Sequence, residues 1–73
     1  MNAEQLQQLA WARQHACEKP LLCAAVFYQI DRYAEALVCL ERAARRYTDD
    51  PLVARWRAVV QQRIQQRACE RNE

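Results

Sequence analysis

The chain has 73 residues, eleven basic against nine acidic side chains, four cysteines, two prolines and no glycine. A chain this short makes one domain at most, and its own core leaves it only marginally stable, because about 60% of the unfolded surface is buried. A net charge of +2 is too small to imply a nucleic-acid or membrane partner. Without glycine the tight turns between strands are hard to make. Thirteen alanines, with many Leu, Gln, Arg and Glu, favour helix. The expectation is an all-α single domain over residues 1–73, built from three to four short antiparallel helices.

The first helix is expected over about residues 3–16, opened by Asn2 and Gln5 as a capping box. Its Leu6, Leu9, Ala10 and Arg13 share a face, with Trp11 to one side. Pro20 closes that helix and suits the first position of the next, over about 20–30, because its missing N–H is not needed there. The second helix (Leu21, Leu22, Cys23, Ala24, Ala25, Val26, Phe27, Tyr28, Ile30) is apolar almost all round and must be covered on more than one side. Asp31-Arg32 breaks the pattern before a third helix over about 33–47. "TDDP" then stops the chain and restarts it: Thr48, Asp49 or Asp50 can cap a fourth helix over about 51–67, with Pro51 at its first position. Leu52, Trp56, Val59, Val60 and Ile64 form its apolar stripe, and Arg55, Arg57, Gln61, Gln62 and Gln65 its polar side. The tail "ACERNE" is expected to fray.

The break at Asp31-Arg32 makes residues 20–47 a hairpin of two helices. The 34 residues from Cys17 to Asp50 carry small Ala24, aromatic Phe27 three positions on, Tyr33 after the turn, "YAEAL" from Tyr33 to Leu37, then Leu40 and Ala43. This pattern resembles a tetratricopeptide repeat, which implies that Ala24, Phe27, Tyr33, Ala36, Leu40 and Ala43 pack the hairpin. Pro20, Asp31 and Thr48 depart from the pattern, standing where a bulky aromatic, a turn glycine and a terminal proline are usual. Asp31 is still compatible with the turn, because Asp tolerates the left-handed conformation better than most residues. One such repeat cannot bury both faces, so the flanking helices are expected to act as caps.

His15, Cys17, Cys23 and Cys39 invite a zinc reading, but no paired C-x-x-C is present. Cys23 reads as a small hydrophobe of the hairpin. No spacing suggests a redox pair, and all four thiols are expected to be free. A Cys/His nucleophile lacks an orienting third group and an oxyanion loop, and the absence of glycine excludes the glycine-rich phosphate motifs. Asp49 and Asp50 read as caps, and no cofactor is implied. The interspersed charges read as a solvated face with i,i+4 pairs.

These features point away from an enzyme and toward a protein–protein interaction module, an adapter or small chaperone that binds a helical segment of another protein, itself as a homo-oligomer, or both. Leu21, Leu22, Val26, Tyr28, Trp11 and Trp56 are the candidate partner-binding residues. In size and architecture the chain is similar to the small chaperones and co-chaperones of bacterial type III secretion, which implies a needle or translocated subunit as an alternative partner. A small nucleic-acid binder using "ERAARRY" and the C-terminal arginines is the disfavoured alternative, since such domains carry more net charge. "MNAEQLQQLA" has neither a basic start nor a continuous apolar core, and "LLCAAVF" is too short to span a bilayer, so a cytoplasmic protein with no membrane partner is expected.

Overall fold

Four helices make up the computed structural model, which describes residues 2–71: α1 (Ala3–His15), α2 (Pro20–Gln29), α3 (Tyr33–Arg46) and α4 (Pro51–Arg71). The class is all-α, and no strand occurs among the described residues. The starts of the helices follow from their capping chemistry. At α1 the Gln5 N–H donates to the Asn2 Oδ1 at 2.8 Å, while the Asn2 N–H donates back to the Gln5 Oε1 at 3.3 Å. This reciprocal pair satisfies two N–H groups that have no partner inside the helix. At α4 the structure selects one of the three candidate caps: Asp50 Oδ1 accepts from the Leu52 N–H at 2.9 Å. Pro20 occupies the first turn of α2 and is buried, so it fills space as well as starting the helix.

Asp31 ends α2 in the left-handed region, with φ of 62°. The Arg32 N–H reaches the Phe27 carbonyl at 2.8 Å and the Asp31 N–H reaches that of Tyr28 at 3.2 Å. These are the two bonds of a Schellman motif, a site where glycine is the usual choice. Two side chains hold the turn from outside. The Tyr33 hydroxyl donates to the Asp31 carboxylate at 3.0 Å, and Arg67 of α4 donates to the Asp31 carbonyl at 3.2 Å. Conformational tolerance should therefore govern substitutions at this position. Asp31→Asn keeps that tolerance and an acceptor, and is expected to stay within about 0.5 kcal/mol of wild type in urea melts. Asp31→Val should lose about 1–2 kcal/mol, the cost of a left-handed L-residue. Equal stability of the two variants would contradict this account.

α3 shows why its residues form a helix with one inward face: Ala36, Cys39, Leu40 and Ala43 recur at i, i+3, i+4 and i+7 and all are buried. With Leu9, Ala12, Cys23, Ala24, Phe27, Ile30 and Val60, the first three of these make one core cluster drawn from all four helices. Extensive packing runs between sequence neighbours: α1 on α2, α2 on α3, and α3 on α4. The result is a slab with Cα extents of 37 × 28 × 13 Å. Its thin dimension is that of two helix layers, since helix axes pack about 8–10 Å apart.

Two expected faces are rotated from their predicted positions. In α1 Leu9 is buried as expected, but Ala12 joins it rather than Leu6 and Ala10, which are exposed, with Arg13 on the adjoining flank paired to Glu35. In α4 Trp56, Val60 and Ile64 of the expected stripe do face inward, but Val53 joins them in place of Leu52 and Val59, which are 71% and 40% exposed. Both the expected and the observed stripe have helical spacing and run through Val60 and Ile64 toward Arg67, which is anchored at the α2–α3 turn. α4 also continues to Arg71, past the expected end near residue 67. Ala, Cys, Glu and Arg carry no stop signal, since neither glycine nor proline interrupts them. Asn72 and Glu73, the end of the tail expected to fray, lie outside the described residues.

Candidate interaction surfaces

The α2–α3 contact holds the side chains of the hairpin at very different exposures. Ala24, Ala36, Leu40 and Ala43 are fully enclosed and Phe27 nearly so. Tyr33 is half-buried, its ring 5.2 Å from that of Tyr28 and covered by the Arg67 guanidinium at 4.6 Å. Burial, then the hydrogen bond to the Asp31 carboxylate, pushes the Tyr33 hydroxyl above its ordinary value. Arg67, Asp31 and Tyr33 thus clasp the C-terminal half of α4 to the turn, beside a cleft of about 470 Å³ that Ile64 and Glu35 also line.

The six candidate partner residues separate into two sets. Leu21, Tyr28 and Trp56 are half-buried and pack on the core, as Val26 also does on one side, so most of their apolar surface is already used inside the chain. Trp11 and Val26 come together in a shallow groove between α1 and α2, about 330 Å³ in volume, with Glu4, Gln7, Gln8 and Gln29 at its margins. Trp11 is 37% exposed and its ring lies against His15 at 4.7 Å. Leu22, 49% exposed, stands one helical turn before Val26 on the same side of α2. An aromatic side chain with an aliphatic ridge beside it and amides around it has the chemistry of a protein-binding groove.

Two of the three arginines of α3, Arg42 and Arg46, are engaged tertiarily rather than solvated along their own helix. Arg46 donates to the carbonyls of Cys17 at 3.3 Å and Glu18 at 3.4 Å, and Arg42 donates to the Cys17 Sγ at 3.4 Å. Together they tie the α1–α2 loop to α3. Arg13 makes a two-pronged pair with Glu35 across α1 and α3, both bonds 2.9 Å long. That hydrogen bond holds the Glu35 carboxyl below its ordinary value, although the exposure of both partners keeps such a pair weak. The ion pairs among the described residues therefore link distant segments (Arg13–Glu35, Arg67–Asp31), apart from His15–Glu18 at i,i+3. Sequence periodicity carries no signal for such contacts.

All four cysteines are free thiols, Cys17 and Cys69 exposed, Cys23 and Cys39 buried. Burial, with the neighbouring Cys23 adding to it, pushes the Cys39 thiol up to about 11. The hairpin thus brings together two cysteines, 23 and 39, that sequence spacing leaves unrelated. No group of three or more metal-ligating side chains forms among the described residues. Native protein at pH 8 should expose two thiols to a disulfide reagent and release the other two only on unfolding. Because the folded value lies above the ordinary 9.0, Cys39 contributes stability that is full below that pH and lost toward about 11. The Cys39→Ala variant should lack this alkaline component when urea midpoints are compared across that range. Four fast thiols in native protein would overturn the assignment.

Among the described residues, no helix is long and apolar enough to cross a membrane. No family model, curated protein or solved structure matches the chain, so its function has to follow from the surfaces themselves.

Proposed function

We propose that the protein is a helical interaction module, an adapter or small chaperone, that takes an amphipathic helix of another protein in the groove between α1 and α2. The observation that carries this is the exposure of Trp11 and Leu22 beside Val26. Large aromatic and aliphatic side chains left open on so small a chain usually mark a contact surface. The groove margins are amides with one carboxylate, Glu4, so the fitting segment is apolar on one face and neutral to basic at its edges. The tetratricopeptide-like pattern supports the same use, since stacked helical hairpins of that kind present extended binding faces. The half-buried side chains are kept for the core, leaving Trp11 as the aromatic anchor, a residue type enriched among binding hot spots.

The test is capture of partners from the native cell with tagged wild-type protein and with a Trp11→Ala/Leu22→Glu variant whose fold is verified by circular dichroism. A partner held by wild type and lost by the variant, whose binding also shifts Trp11 fluorescence, is the expected result. Equal retention of every partner by the variant would remove the groove from consideration.

A further inference from the structure

We propose that the outer flank of α4 is a second, chemically distinct docking surface, and that its occupant is an acidic amphipathic helix of a partner protein. Three observations converge on it. Leu52 and Val59 stand exposed at i and i+7, with half-buried Trp56 at i+4 along the same edge. Such spacing is the contact line of a helix that meets another helix. The flank is also strongly cationic. Residues 51–71 contain five of the chain's eleven basic residues and a single acid, Glu70, a balance of +4 on this element against −2 on the rest of the chain. Arg55 and Arg63 border Leu52 and Val59 on the helical surface, and neither they nor Arg57 enter an ion pair among the described residues. Arg67 of the same helix is held at Asp31, and elsewhere arginines 13, 42 and 46 are held by a carboxylate, carbonyls or a thiol. Lys19, Arg32 and Arg45 are likewise outside these pairs, but among the described residues only α4 sets three such cations, Arg55, Arg57 and Arg63, on the helix that carries the exposed aliphatics.

A second copy fits poorly, because α4 against α4 would set arginine opposite arginine. Nucleic acid fits less well than a peptide, because Leu52 and Val59 interrupt the cationic strip where phosphates would lie. A helix with leucines on one face and glutamates along its flanks meets both requirements at once.

The experiment uses the full chain and three probes: an amphipathic peptide of about 20 residues, roughly 30 Å of helix, with leucines at helical spacing and flanking glutamates; the same peptide with lysines for the glutamates; and a single-stranded oligothymidine. Affinity is read by fluorescence anisotropy and the contact surface by amide chemical shifts. The acidic peptide should bind and move the α4 resonances. Both Arg55→Glu/Arg63→Glu and Leu52→Gln/Val59→Gln should weaken it by at least about tenfold, as loss of close charge pairs or anchors does. These positions are exposed, so the variants should keep wild-type circular dichroism, and both should leave the α1–α2 groove competent. Equal affinity for the lysine peptide, oligothymidine binding untouched by Leu52→Gln/Val59→Gln, or a homodimer broken by either double variant would each overturn the proposal.

Discussion

Replacing Phe27 by alanine is expected to leave the chain largely unfolded at room temperature. Phe27 is 2% exposed at the centre of the cluster that joins all four helices, with Leu9, Cys23, Ala24 and Leu40 among its members. Truncating a buried phenylalanine costs about 3–5 kcal/mol, the lost transfer energy plus the cavity left behind. A chain of this length has a total stability of about 4–11 kcal/mol, and small domains fall toward the lower end. The loss is therefore comparable with everything that holds the fold together. Leu22→Ala, on the same helix but 49% exposed, should change stability by about 0.5 kcal/mol or less. Helicity at 222 nm and urea titration of the two variants would check the contrast. A Phe27→Ala protein that unfolds within about 1 kcal/mol of wild type would mean that α2 is not the central element of the core.

The second large effect comes from adding atoms. Ala24 on α2 and Ala36 on α3 are completely enclosed, in helices that pack directly on each other. A methyl group there lets the two backbones approach closely, and a leucine would have to push them apart. Ala24→Leu and Ala36→Leu should each cost about 1–3 kcal/mol or more, the usual effect of overpacking a dense core. Ala34 is exposed and borders the cleft beside Arg67, so Ala34→Leu has room and should remain within about 0.5 kcal/mol. Thermal melts at equal concentration would compare the three. Matching losses at all three positions would remove the helix crossing as the explanation.

Local chemistry was readable in the sequence, and relative rotation was not. Asn2 with Gln5, Pro20 and Pro51 mark three helix starts because capping depends only on residues a few positions apart. Asp31 was legible for the same reason: a break in periodicity needs a residue that accepts positive φ, and no glycine is present. The facing of α4 was only partly legible: Trp56, Val60 and Ile64 were found, but helical spacing alone admits either Leu52 and Val59 or Val53 beside them. Which one turns inward is decided by contact with α3 and by the anchorage of Arg67 at Asp31. The same ambiguity hid the α4 flank and placed Trp56 among exposed candidates, whereas Trp11 and Leu22 could be found from the excess of apolar residues over available cover. Pairings such as Arg13 with Glu35, separated by 22 positions, exist only once the helices are docked.

Packing of each helix on its sequence neighbours also sets how the chain reaches this state. Contacts that close only short loops require little ordering of distant segments before they form, and helical chains of such low contact order fold in microseconds to milliseconds. The three- to four-residue connections place α2 and α3 in reach of each other as soon as either is formed, so the search is nearly one-dimensional. α1 buries Leu9 and Ala12 and packs extensively on α2 alone, so its detachment would dismantle the Trp11 groove while leaving α3 and α4 together. A bound segment that bridges α1 and α2 would therefore act as a clamp on the least cooperative part of the molecule, and its residence time would be limited by the fraying of that helix.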